Sequence, residues 1–331
     1  MDLIIADLHL TDAPLEEYRW GIFPWLEDLK EEYDIDNIYL LGDITEKKDN
    51  HSAKLVNRIV EKLYVLSSNI NGMLFILRGN HDGVDPEWPF FKFVRGHEGI
   101  VFYSEPTFTI INQGILFLPH SKDPSNDWLG IINKWIKDTN IIFMHQTVKG
   151  ARAANGFQLD GLDTSIFSLF NGLIFSGDIH TPQETGKVIY VGSPFPVYFG
   201  DSFIGNVILL DNNNWKRLEY NTIRRVMLDI DFATQPIGIH FPVHKGDQFK
   251  IKILVNRSDS DQFDKWKKMV RESIEKKNGV VVSMELKLAE EKNTIAKKRK
   301  FVNTDPITVL NRYCKVEGLD SYYAEKGKEF I

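Results

Sequence analysis

The sequence predicts an α/β fold, a layered core in which strands alternate with helices. Three observations predict it. Short apolar runs of the kind found in strands buried on both faces recur between residues 3 and 210. Stretches with apolar residues at helical spacing separate them. The composition, 43% hydrophobic and 26% charged over 331 residues, is that of a folded globular chain and excludes wholesale disorder.

The elements follow in order. The runs at 3–6, 37–41, 73–77, 115–118, 141–144, 172–175, 188–191 and 206–210 are the expected strands. Pro24 suits the first turn of a helix that carries Leu26 and Leu29 on one face. Leu55, Ile59, Leu63 and Leu66 form a stripe along a second helix at 52–66. Beyond about residue 224 the texture changes. Residues 249–255 read as a strand, 261–277 as a helix stopped by Gly279, and 280–286 as another strand. Thr304-Asp305-Pro306 opens a last helix, with Ile307, Leu310 and Tyr313 on it and a stop at Gly318. The expected division is 1–224, 225–287 and 288–331.

Charge and cysteine content narrow the function classes. Lys+Arg 40 against Asp+Glu 46 leaves a net charge of −6, so no global basic charge marks a nucleic-acid binder. Residues 265–300 are locally basic, with 12 Lys or Arg against 5 Asp or Glu. That stretch reads as a solvated helix and linker, or as a nucleic-acid or partner surface. The single Cys314 excludes an internal disulfide and a thiolate cluster, and reads as a buried small hydrophobe. No apolar run approaches the ~18 residues of a membrane span. The first strand starts almost at Met1, where a cleaved leader would remove it, so a cytoplasmic location is expected.

Five apolar runs lead at once into side chains that can hold a metal. They run into Asp7-Leu8-His9, Gly42-Asp43, Gly79-Asn80-His81-Asp82, His145, and Gly177-Asp178-Ile179-His180. In an open α/β sheet ligands collect outside the carboxyl ends of strands, so these segments are expected to converge. Carboxylate oxygens mixed with imidazole nitrogens suit Mn, Fe or Zn. The donors are too many for one ion, and two ions ~3.5–4 Å apart on a shared carboxylate fit a phosphoester hydrolase. The glycines before Asp43, Asn80 and Asp178 are expected to supply tight turns that aim these side chains inward.

The set resembles the calcineurin-like metallophosphoesterase superfamily, whose pattern is DxH, GD, GNH[DE], H and GHxH, over residues 2–211. The resemblance implies a two-layered β-sandwich flanked by helices and two divalent ions, Mn²⁺ first and Mg²⁺ second. It implies one ion on Asp7, His9, Asp43 and His180, and the other on Asp43, Asn80, His145 and Asp178, with Asp43 as the bridge. It places His81 over the leaving group as stabiliser or acid, oriented by Asp82. One position departs from the pattern. Asp178 stands where a histidine is usual, and its carboxylate would shift preference toward harder ions such as Mn or Mg.

Two further segments are similar to the SbcD-type DNA-repair nucleases. These are 144–150, with its H-x-x-x-x-G pattern, and 190–201, with its GSP…FGD loop. That likeness implies a small α+β capping, DNA-binding domain at 225–287 and a C-terminal helical tail at 288–331. The tail would bind an SbcC-type coiled-coil ATPase through Ile307, Leu310 and Tyr313. It implies 3′ to 5′ exonuclease activity on double strands and endonuclease activity on single strands or hairpins. The compact length resembles phage-encoded members, which would work in a host cytoplasm. A homodimer through N-terminal helices is also implied; Trp20, Ile22, Phe23 and Trp25 are apolar enough for it, and core packing explains them equally well.

Lys47, Lys48, Lys149 and Arg152 follow ligand-bearing segments and are candidates for DNA phosphate contacts, against ordinary solvent exposure. His51 reads as part of a helix cap, His120 as structural or lining the crevice, His97 as surface, and His240 and His244 as capping-domain residues. Trp88, Phe90, Phe91 and Phe93 read as packing a helix on the core rather than stacking bases. Two other functions stay open. One is a phosphatase or small-molecule phosphodiesterase on the same core, against which the long C-terminal part argues. The other is a non-catalytic clamp for an ATPase, against which His81 argues.

Overall fold

The computed structural model describes residues 1–68, 70–232 and 241–288. Met1–Leu288 form one compact unit. The expected tail, with Ile307, Leu310, Tyr313 and Cys314, and also His240, lie outside the described residues.

Elements are numbered along the chain. The first sheet has the order β12-β11-β1-β2-β3-β4. Its strands are β1 (Asp2–Ile5), β2 (Asn37–Leu41), β3 (Leu74–Leu77), β4 (Ile100–Tyr103), β11 (Asn206–Asp211) and β12 (Asn214–Glu219). The second sheet has the order β5-β6-β7-β8-β10-β9. It comprises β5 (Thr107–Ile111), β6 (Gln113–Leu118), β7 (Ile141–His145), β8 (Leu173–Gly177), β9 (Gln183–Thr185) and β10 (Val188–Tyr190). In both sheets the central strands run parallel; antiparallel strands close both edges of the second sheet and one edge of the first, whose other edge is the parallel β4. Parallel pairing sets the carboxyl ends level: His145 at the end of β7 sits opposite Gly177 at the end of β8.

The two sheets face each other across an apolar layer. Side-chain alternation sends Ile4, Tyr39, Leu41 and Phe75 from one sheet toward Phe117, Phe143 and Phe175 of the other. Tyr39 stacks on Phe143 with ring centroids 4.3 Å apart. The opposite faces are covered by helices. α1 (Ile22–Glu32) and α2 (Ala53–Ser68) cover the first sheet, where Leu55, Ile59, Leu63 and Leu66 are all buried with Leu3 and Ile5. α4 (Leu129–Trp135), just after the single turn α3 (Pro124–Asp127), covers the second through Ile132. Each large apolar side chain buried this way stabilises the fold by roughly 1.5–3 kcal/mol. The α/β class and the two-layered sandwich flanked by helices are as expected. Trp20, Ile22 and Phe23 belong to this core, and Trp25 rests on Tyr220 with centroids 4.8 Å apart.

A third sheet holds β13 (Arg225–Asp231), β14 (Gln248–Val255) and β15 (Val280–Leu288), all parallel in that order. α5 (Phe263–Glu275) packs on it through Val270 and Ile274. The expected β-α-β unit thus gains a strand, β13. That strand sends Val226, Leu228 and Ile230 onto the small core and leaves Met227 and Asp229 exposed, so only the short run 226–228, cut off by Asp229, marks it. Among the described residues no helix is long and apolar enough to cross a membrane.

Candidate metal centre

All five ligand-bearing segments meet at the carboxyl ends of β1, β2, β3, β7 and β8. The first sheet delivers Asp7, His9, Asp43, Asn80 and His81; the second delivers His145, Asp178 and His180. The backbone bends sharply to do so. Asp7 (φ 55°), His9 (φ 41°), Asp43 (φ 55°) and Asp178 (φ 80°) all occupy the left-handed region, which side-chain-bearing residues rarely adopt. The glycines act differently from expectation. Gly42 has the left-handed φ of 83° that a tight turn needs. Gly79 and Gly177 do not; they are required for close approach. A Cβ on Gly79 would strike Asp43 Oδ1, and one on Gly177 would strike Leu41 O.

Asp43 faces two ways. Its Oδ2 lies 3.4 Å from His9 Nε2, and its Oδ1 lies 3.5 Å from His145 Nε2. On the His9 side, His180 Nε2 stands 3.0 Å from His9 Nε2. Asp7, His9 and His180 each offer a ligand atom within 4.8 Å of the others. On the other side, the Asn80 amide head lies 3.0 Å from His145 Nε2, and Asp178 Oδ1 lies 3.8 Å from it. Asp7, Asp43 and His145 form a second such trio. The structure thus brings all seven sequence-predicted metal ligands into one crevice.

The donors fit divalent cations. Asp7 Oδ2 is buried without a hydrogen-bond partner. Burial pushes Asp7 up to about 7, and the adjacent Asp43 charge pushes the same way. Burial would lower His145, but Asp43, Asp7 and Asp178 outweigh it and raise it well above its ordinary value. Buried carboxylates that favour a proton on the neighbouring histidine form a site that draws positive charge. Burial and the neighbouring His9 push His180 down to about 3, which keeps it a neutral donor. Supporting contacts fix which nitrogen faces the crevice. His145 Nδ1 donates to Leu41 O at 2.7 Å, and His9 Nδ1 stands 3.0 Å from Glu46 Oε2, so each ring leaves Nε2 for the cation.

Asp82 does not orient His81. It is fully buried and accepts three backbone N–H groups, from Gly79 (2.7 Å), Asp43 (2.9 Å) and Ile44 (2.9 Å). It staples the loop after β3 to the loop after β2. His81 is held instead by Glu46: its Nδ1 donates to Glu46 O at 2.7 Å, while its ring sits edge-on to His9 at 5.0 Å. Glu46 is therefore a site residue absent from the sequence-based set. So is Arg19, which is 1% exposed, donates to His9 O and Val197 O, and reaches Glu46 at 3.9 Å. Glu46 lies three residues after Asp43, which is a usable signal; Arg19, on a turn before α1, carries none.

Beside the centre lies a groove of about 540 Å³, lined by Arg19, Glu46 and Lys47 on one side and by Arg225 and Lys250 of the third sheet on the other. Phe199 lies between, with Arg225 at 4.3 Å and Lys250 at 4.5 Å from its ring centroid. Lys47 lines this groove; Lys48, Lys149 and Arg152 do not. His120 stands near the crevice, its ring 6.2 Å from His145. His51 packs edge-on against Phe90 at 4.4 Å. His97 is not a free surface residue: it stacks on Tyr64 at 3.8 Å. His244 lies beside the third sheet, its N–H donating to Asp247. Phe90 and Phe91 pack on the core as expected, whereas Trp88 (72% exposed) and Phe93 (53%) do not.

The pattern of the calcineurin-like phosphoesterases matches residues 3–182, more than half of the chain. The chain is 27% identical over 244 residues to "Putative phosphoesterase 244L" of Invertebrate iridescent virus 6, covering 69% of this chain and 82% of that protein. Among solved structures, the nuclease MPE of Pseudomonas putida is similar at 15% identity and a TM-score of 0.33, over 66% of this chain and 87% of that one. A dimetal phosphatase from Danio rerio is similar at 13% identity and a TM-score of 0.43, over 66% of this chain and 98% of that one. With its family motifs drawn together at the strand ends, the chain belongs to the calcineurin-like phosphoesterase family.

Proposed function

We propose that the chain is a two-metal DNA nuclease, the nuclease subunit of an SbcCD-type complex. The observation that carries this reading is the groove. It runs from Glu46, beside His9, to Lys47, Arg225 and Lys250, with Asp12 and Glu16 also on its wall, and an open groove with several cations suits a chain of phosphates better than a single small phosphoester. Asp7, His9, Asp43 and His180 would hold one ion, and Asp43, Asn80, His145 and Asp178 the other. When bound, divalent ions supply Lewis-acid charge to a phosphoryl group and make water a stronger acid. The chain's own residues do the rest. The Glu46 carbonyl takes His81 Nδ1–H and leaves Nε2 as the free edge, which in the imidazolium form can donate to a phosphoryl oxygen or hand its proton to the leaving oxygen. Asp82 holds the loops of Asp43 and His81 in one frame.

Manganese as a working ion of the centre, and 3′ to 5′ exonuclease with single-strand or hairpin endonuclease activity, belong to the same proposal. So does an SbcC-type ATPase bound through Ile307, Leu310 and Tyr313. The test is cleavage of end-labelled duplex DNA with Mn²⁺ or Mg²⁺. Metal-dependent degradation is expected, falling by about 10²-fold or more in His81→Ala. Hydrolysis of a nucleotide monoester with no cut in DNA, even with the ATPase and ATP present, would replace this reading with that of a phosphatase.

A further inference from the structure

The two ends of the centre are not chemically alike. At one end two imidazole nitrogens meet, His9 Nε2 and His180 Nε2, 3.0 Å apart, beside the Asp7 carboxylate and with Asp43 Oδ2 3.4 Å from His9. At the other end a single nitrogen, His145 Nε2, faces oxygen carriers: Asp43 Oδ1 at 3.5 Å, the Asn80 amide head at 3.0 Å and Asp178 Oδ1 at 3.8 Å.

Asp178 is not a loose carboxylate. Its left-handed backbone is held by its own N–H, which donates to Asp7 Oδ1 at 3.0 Å. Its Oδ2 accepts the Thr147 hydroxyl at 2.5 Å. Thr147 comes two residues after His145, so the same loop that delivers the imidazole also occupies one oxygen of the carboxylate. Oδ1 is the atom left to face the crevice. Imidazole donors favour zinc-class ions, whereas carboxylate and carbonyl oxygens favour Mg and Mn.

We infer that the centre is a mixed-metal site, and that Asp178, clamped by Thr147, is the residue that makes its second end select a harder ion than the first. The inference rests on the two-metal reading of the same residues. The imidazole-rich end holds a zinc-class ion. The Asp178 end holds Mn²⁺ or Mg²⁺.

The experiment uses the full chain, stripped of metal and equilibrated in buffers that fix a low free Zn²⁺ against millimolar Mn²⁺, followed by elemental analysis of the protein. Wild type is expected to hold one zinc and one manganese. Asp178→His, in the same buffers, is expected to shift toward two zincs, with the bound Mn-to-Zn ratio falling by about 10-fold or more. Thr147→Val is expected to weaken Mn²⁺ by about 10–100-fold while keeping the zinc, the scale of losing a residue that orients a ligand. Two zincs or two manganeses on wild type would overturn the inference while leaving the two-metal reading intact. Fewer than two ions on wild type would overturn the two-metal reading, and this inference with it. An unchanged Mn-to-Zn ratio in Asp178→His would overturn the role of Asp178; if that variant fails to fold, as judged by circular dichroism, Asp178→Asn decides it, with Mn²⁺ expected to be lost before zinc and retention of both ions overturning the inference.

Discussion

The metal centre takes its side chains from the ends of five strands, each within a few residues of a buried apolar run. The groove beside it takes Arg19, Lys47, Arg225 and Lys250 from four separate segments, two of them in the third sheet. In the centre, position is dictated by backbone: left-handed turns, a glycine with no room for a Cβ, and one buried carboxylate stapling two loops. In the groove, position comes from packing whole sheets side by side. The electrostatics differ in the same way. Asp7, Asp43 and His145 are almost completely buried, where each charge acts through a low dielectric. Lys47 is exposed, as is Lys250, and such groups act weakly one at a time and additively. The centre concentrates its charges in a few buried side chains, whereas the proposed grip on a polyanion would be spread over many exposed ones.

That contrast can be broken at its strongest point first. Asp43→Asn removes the charge that faces both ends of the centre. Metal content should fall at both ends, and single-turnover phosphodiester cleavage should drop by at least about 10²–10³-fold. Loss of one ion only would show that Asp43 is not shared. Next comes Glu46→Gln, which keeps the shape but removes the charge behind His9 Nδ1. Cation affinity at the His9–His180 end should weaken by about 10–100-fold, read by titration of stripped protein. An unchanged titration with reduced cleavage would move Glu46 from ligand support to substrate contact. The smallest change per residue belongs to the groove. In the double variant Lys47→Ala, Lys250→Ala, metal content should hold. The slope of log affinity for DNA against log salt should become shallower by about 0.9 for each phosphate that the protein no longer neutralises. A slope equal to wild type would take these lysines off the DNA path.

Legibility in the sequence follows the same division. β2 and β3 are buried on both faces, so their runs stand out; β12 and β13 are broken up by charged residues and leave no run longer than three. The ligands are readable because each sits just beyond such a run. Asp82 is readable as a site residue but not in its role, because the N–H groups of Asp43 and Ile44 that it accepts belong to another strand's loop, 39 and 38 residues away. Arg19 is invisible for a related reason. The atoms it holds near the centre, His9 O and Val197 O, are main-chain atoms, one of them 178 residues distant, and its pair with Glu16 three residues back points only to a local turn. The groove's cations are only partly readable. Lys149 and Arg152 follow a ligand in sequence, but only the packing of the third sheet decides which cations face the cleft.

The left-handed turns at Asp7, His9, Asp43 and Asp178 have a consequence for timing. Each such conformation costs of order 1–3 kcal/mol, and here that cost is met when the chain folds. An arriving ion then finds donors already convergent, with no loop to order and little entropy left to lose. The cost sits in bent backbone and in Asp7, Asp43 and Asp178 crowded around the single buried His145. Filling the site relieves that crowding, so occupancy and resistance to heat become one property of this chain.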